Sequence, residues 1–341
     1  MVRKNGKEGN EMQTEENGVF DRETAEEKAI RSAGNKIGFS CLFYIIVSSL
    51  IGELLSFLLH KLFPILELYL TGTYYEIADL LFSAVCYVLS LLLPFGLCLI
   101  LTRMPLRVAF PFKTGHPAEK IGGVFIGLGT AIVSGHITAA FSAVLMIFGV
   151  GIEEPVSFSP VTLWGKILYV LIFAILPAFL EEMIFRGIIL QNLRRFGDRE
   201  ALFLSALFFA VFHLNLSQIP YAFLMGLCIG YFVLRTGSLW AGVLLHLCNN
   251  ALSLLWELID PLLSDRAFYL VSYWYDAALL LFALIALFVL MKKVPDSFVL
   301  KESESCLPVG KRLRVFLLSP GVLLAFLAAA VAAGQSLILL R

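Results

Sequence analysis

Nine apolar runs dominate this chain, near residues 39–59, 77–101, 121–149, 165–193, 201–216, 219–234, 238–258, 269–291 and 316–340. A bilayer core about 30 Å thick is crossed by roughly 20 apolar residues in a helix. In hydrocarbon, backbone N–H and C=O groups must be satisfied within the chain, which leaves helices and closed barrels as the spanning structures. Runs of this length predict an all-α, polytopic membrane bundle of about 8–9 transmembrane helices, integral to the membrane and multi-pass. The fifth and sixth runs are short and are joined by the uncharged Asn215-Leu216-Ser217-Gln218-Ile219-Pro220, so a tilted hairpin in their place would lower the count by one. Composition agrees: 59% of the 341 residues are hydrophobic and 15% charged, with a mean hydropathy of +0.85.

Charge informs through position. Twenty-six basic residues balance twenty-six acidic ones, and the zero sum carries no signature of a nucleic-acid partner. Lys and Arg favour the cytoplasmic side of short loops. With the N-terminus cytoplasmic, only Lys61, Lys166, Arg266 and the terminal Arg341 fall outside, and Arg186 alone stays in the membrane. The alternation predicts a cytoplasmic N-terminus and an external C-terminus; the expected location is the plasma membrane of a bacterium, with an organelle membrane as the alternative. Residues 1–37 carry seven basic and eight acidic side chains and no signal-peptide core, which reads as a disordered cytoplasmic tail. Residues 38–150 hold the N-terminal membrane helices and 256–341 the C-terminal ones. The six cysteines lack CxxC spacing and read as packing residues. Gly123 and Gly127, and Gly226 and Gly230, each put two glycines on one helix face, a pattern for close helix packing.

Ionisable groups cost about 2.5–3.5 kcal/mol near the centre of a membrane helix, so each needs a partner or a purpose. The fourth run carries three, in Leu180-Glu181-Glu182-Met183-Ile184-Phe185-Arg186. Glu182 and Arg186 are four apart and pair along one face, whereas Glu181 points roughly 100° away and needs another partner. Of five histidines, His60 and His116 sit at or beyond run ends, and His136 reads as a packing residue. His213 ends Phe209-Ala210-Val211-Phe212-His213, and His246 shares a helix face with Asn250. Glu181, His213 and Asn250 each lie 12 residues from the cytoplasmic end of their runs, or roughly 18 Å at 1.5 Å per residue. His246 lies 8 residues in, or roughly 12 Å.

A carboxylate, two imidazoles and a carboxamide meeting in a water-lined cavity make a plausible hydrolytic centre. Glu181 is suited to accept a proton from water, one imidazole to share in holding that water, and the other with Asn250 to donate to the oxyanion. Two histidines and a glutamate also suit zinc with one position open to water. Against zinc, HExxH is absent, the ligands would come from three helices, and Asn is a poor ligand. No cofactor is assigned, and a divalent metal, zinc above all, stays an alternative.

At these residues the sequence resembles the CAAX-protease and bacteriocin-processing (CPBP) family, which includes the type II CAAX prenyl endopeptidases. That family's EExxxR, FxxxH and HxxxN patterns all stand here, in order, as Glu181-Glu182-x-x-x-Arg186, Phe209-x-x-x-His213 and His246-x-x-x-Asn250. The resemblance covers about 160–255, the expected catalytic core. It implies an intramembrane endopeptidase in which Glu181 and His213 activate water, His246 and Asn250 stabilise the oxyanion, and Glu182 and Arg186 support them. The implied partners are the bilayer and a membrane-anchored peptide or protein, prenylated or leader-like. The competing reading is a non-catalytic immunity or scaffolding protein, or a transporter, whose buried polar groups form a network. No paired half-repeats favour the transporter.

Overall fold

The computed structural model describes residues 2–69, 73–113, 117–152, 160–294, 299–300 and 305–339. Its helices are α1 (Val2–Tyr69), α2 (Thr73–Thr102), α3 (Pro117–Ile147), α4 (Leu163–Phe196), α5 (Asp198–Val211), α6 (Ile219–Thr236), α7 (Leu239–Ile259), α8 (Asp265–Lys293), α9 (Val309–Leu317) and α10 (Pro320–Gly334). Among the described residues seven helices are long and apolar enough to cross a membrane. An eighth span arises if α9 and α10, bent by 66°, count as one. Leu, Ile and Phe side chains on the outer faces of α2, α3 and α8, such as Ile100, Ile147 and Phe288, are exposed. A bilayer is the solvent that makes this favourable.

The fifth apolar run does not form a span. α5 has 14 residues and stops at Val211, because the chain turns sharply there. Leu214 adopts φ 52°, a left-handed conformation that a branched residue rarely takes and that ends helices. The Asn215 side chain then accepts from Ser217 N (2.9 Å) and Ser217 Oγ (2.8 Å), closing a turn, and Pro220 opens α6. α5 and α6 form the hairpin that their lengths suggested.

Residues 21–37, read from composition as part of a disordered tail, lie within α1. Ile30, Ala33, Ile37 and Cys41 recur at helical spacing and are buried with Val322, Ala325 and Ala329 of α10. Gly38 and Gly321 let the two backbones touch: a Cβ on Gly38 would sit 2.2 Å from the Gly321 carbonyl carbon. The stripe of small and apolar residues prevails over the surrounding charge. A second feature outside the all-α expectation is a pair of three-residue strands, β1 (Val150–Ile152) and β2 (Leu337–Leu339), antiparallel with Gly151 opposite Ile338. It ties the end of α3 to the end of α10. The glycine pairs face neighbouring helices, Gly123 and Gly127 against Phe232 and Leu245, and Gly226 and Gly230 against Ala206 and Leu202.

Candidate active site

α4 is not a regular α-helix. Pro177 lacks the N–H its turn requires, and the helix widens to π turns over Leu171–Ile175 and Glu182–Ile189. Such turns accumulate at functional sites. Carbonyls along the second of them are taken up by side chains, since Ser205 Oγ on α5 donates to Phe185 O (3.0 Å) and Gln191 Nε2 donates to Arg186 O (3.2 Å). The widened turn carries the whole Glu182–Arg186 segment.

Glu182 and Arg186 are both fully buried. Arg186 Nη1 donates to Glu182 Oε1 at 2.7 Å, Nη2 donates to Gly226 O on α6 at 3.2 Å, and the guanidinium lies 4.3 Å above the Phe209 ring. Glu182 Oε1 meets His246 Nδ1 of α7 at 2.9 Å. A carboxylate held by a guanidinium accepts, so the Nδ1 of His246 carries hydrogen and Nε2 is left facing Glu181, 3.9 Å from its Oε2. His213 follows the same logic. Its Nδ1 lies 2.7 Å from Phe209 O, a carbonyl can only accept, and the ring keeps Nε2 uncommitted. Phe209 stands edge-to-face to His213 (4.8 Å between centroids) and to His246 (5.8 Å), so one ring seats both imidazoles and the arginine.

Two cavities meet at His213. One, of about 200 Å³, is lined by Glu181, His213, Tyr44, Tyr87 and a wall of phenylalanines. The other, of about 540 Å³, is lined by His213, Asn249, Asn250, Gln218, Ser217 and Tyr221 among others. Asn250 Oδ1 accepts from Asn249 Nδ2 at 3.3 Å, and Asn249 Oδ1 accepts from Tyr221 Oη at 2.6 Å. The six residues singled out in the sequence are thus on α4, at the end of α5, and on α7. Glu181, Glu182, Arg186 and His246 make one connected cluster, His213 shares a cavity with Glu181, and Asn250 borders the second cavity with His213.

Tyr87 of α2 escaped the sequence reading. Its hydroxyl donates to Glu181 Oε1 at 2.6 Å, and a tyrosine inside an apolar run carries no signal that separates it from packing. His136 is not a lone packing residue: its exposed ring lies 3.3 Å from Asp276 Oδ2. His116 and the side chain of His60 lie outside the described residues. All six cysteines are free. Among the described residues no three His, Cys, Asp or Glu side chains converge with the spacing of a metal cage.

The site needs the glycine at 242. A Cβ there would stand 2.7 Å from Glu182 Oε2 and 2.8 Å from Val233 Cγ2. Gly242→Ala is therefore expected to push the carboxylate off Arg186 and His246, with a loss of about 1–3 kcal/mol in stability. Thermal unfolding of the purified variant reads the loss, and a wild-type midpoint would show that the pocket relaxes.

Residues 163–252 match a family model described as Type II CAAX prenyl endopeptidase Rce1-like. The match takes in α4, α5 and α6 and most of α7, and it holds all six of these residues. No curated protein and no solved structure matches the chain.

Proposed function

We propose that this protein, whose residues 163–252 match the Type II CAAX prenyl endopeptidase Rce1-like family model, is an intramembrane endopeptidase that hydrolyses a peptide bond of a membrane-held substrate by general-base catalysis at Glu181. The observation that carries the reading is the placing of the Glu181 carboxylate and His213 on one cavity, with His246 Nε2 3.9 Å from Glu181 and each imidazole oriented through its Nδ1. Fixed rings beside an available carboxylate are what water activation asks for.

In the proposed reaction, water in the cavity gives a proton to Glu181 Oε2 while its oxygen adds to the scissile carbonyl carbon. His213 Nε2 accepts the other hydrogen bond of that water and aims it. The carbonyl oxygen gains negative charge and takes donors from the Asn250 amide and from His246 when its Nε2 is protonated. Glu181 then passes its proton to the amide nitrogen, the C–N bond breaks, and an acid and an amine leave. Glu182 and Arg186 touch no reacting atom. They hold the ring of His246 by its Nδ1–H, so that Nε2 faces the reaction and, once it takes a proton, becomes the donor that the oxyanion needs. The basic residues support a cytoplasmic N-terminus, and the plasma membrane of a bacterium is the location proposed with it. With that topology the substrate, prenylated CAAX-type or leader-like, enters from the cytoplasmic half of the bilayer.

The test is cleavage of a fluorogenic, membrane-anchored peptide library by the full chain in liposomes, comparing wild type with His213→Ala and His246→Ala, each with and without chelator. Wild-type cleavage is expected to resist chelator, and each variant to lose about 10²-fold or more while staying folded. Cleavage abolished by chelator and restored by zinc would move the chemistry to a metal. No wild-type cleavage across the library would favour the non-catalytic reading.

A further inference from the structure

We infer that Tyr87 is a positioning residue that decides which oxygen of Glu181 takes the proton, so that the reaction centre extends beyond residues 163–252 into α2. The inference rests on the role proposed for Glu181. A glutamate carboxylate turns easily about its last side-chain torsion, which is broad and nearly two-fold, so its two oxygens exchange places at little cost. Here they differ. Oε1 accepts from the Tyr87 hydroxyl at 2.6 Å, whereas Oε2 faces His246 Nε2 at 3.9 Å. One phenol thus pins a soft rotor and leaves Oε2 for water.

The tyrosine is built in as a donor. It comes from α2, and it lines the same cavity as Glu181 and His213. Phenylalanine would fill the same space, and Phe95, Phe185, Phe209 and Phe212 already line this wall. The hydroxyl is the one feature of residue 87 that packing does not explain. Tyr44 of α1 is the natural control, because it lines the cavity without a hydrogen bond to Glu181. Once Glu181 is protonated on Oε2, its Oε1 still accepts from Tyr87, so the geometry is kept through proton return to the leaving nitrogen.

The experiment compares Tyr87→Phe and Tyr44→Phe with wild type and with Glu181→Gln, measuring kcat and KM on the membrane-anchored peptide together with the unfolding midpoint. A misaimed base costs about 10- to 100-fold. Tyr87→Phe is expected to lose that much in kcat with KM and the midpoint unchanged, and to lose more than Tyr44→Phe, whose hydroxyl lines the cavity without a bond to Glu181. A loss carried by KM or by the midpoint, or an equal loss in Tyr44→Phe, assigns Tyr87 to packing and overturns the inference. Full turnover in Tyr87→Phe beside an inactive Glu181→Gln overturns this inference alone. Turnover retained by Glu181→Gln overturns the proposed function itself.

Discussion

Replacing Glu181 with glutamine is expected to remove about 10²- to 10⁴-fold of the cleavage rate, the range a general base supplies, while leaving the bundle folded. The amide is the same size, and its oxygen still accepts from Tyr87, the 2.6 Å partner of Oε1. What it lacks is a basic oxygen at the position of Oε2, beside His246. Single-turnover cleavage in liposomes, read beside an unfolding curve, separates loss of chemistry from loss of fold. Wild-type rates in this variant would remove Glu181 from the reaction and leave the cluster as a structural network.

Arg186→Met is expected to act on the other quantity, stability. Arg186 and Glu182 are a fully buried pair at 2.7 Å. Removing one partner of such a pair costs about 3–5 kcal/mol, because the remaining charge is stranded. Glu182 Oε2 has no hydrogen-bond partner of its own, so the carboxylate depends on what Oε1 receives from Arg186 and His246. The double replacement Glu182→Gln with Arg186→Met removes the stranded charge and is expected to regain much of the lost stability. Activity should stay low, because His246 loses the carboxylate that orients it. Chemical denaturation of the single and double variants checks the sign: if the double variant is no more stable than Arg186→Met, the pair is not the source of the cost.

The sequence carried most of this arrangement because its expensive residues are few. Three charges in one apolar run, with Glu181, His213 and Asn250 at matching depth and His246 one turn from Asn250, point to α4, α5 and α7 as the helices that meet. The i, i+4 pairing of Glu182 with Arg186 holds in space. The bond from His246 Nδ1 to Glu182 was not foreseen, since it joins residues 64 apart, and no local spacing encodes that. Tyr87 was missed for the same reason. The π turns of α4 were invisible, because apolar periodicity blurs over eight residues and the i→i+5 bond has no residue signature. Residues 21–37 were misjudged because a count of charges hides a buried face. Ile30, Ala33 and Ile37 occupy that face while Glu23, Glu27 and Lys311 pair at the surface.

The irregular fourth span bears on how the protein enters a membrane at all. As a lone segment it would carry Glu181, Glu182 and Arg186, each costing about 2.5–3.5 kcal/mol at depth, together with carbonyls loosened by the π turn. The groups that relieve it arrive later in translation: Ser205 on α5, Gly226 O on α6 and His246 on α7. Lateral release of this helix into lipid is therefore expected to wait until the seventh helix has emerged, so that the four leave the insertion machinery as a unit. Nascent chains truncated before residue 246 should leave the fourth helix crosslinked to that machinery.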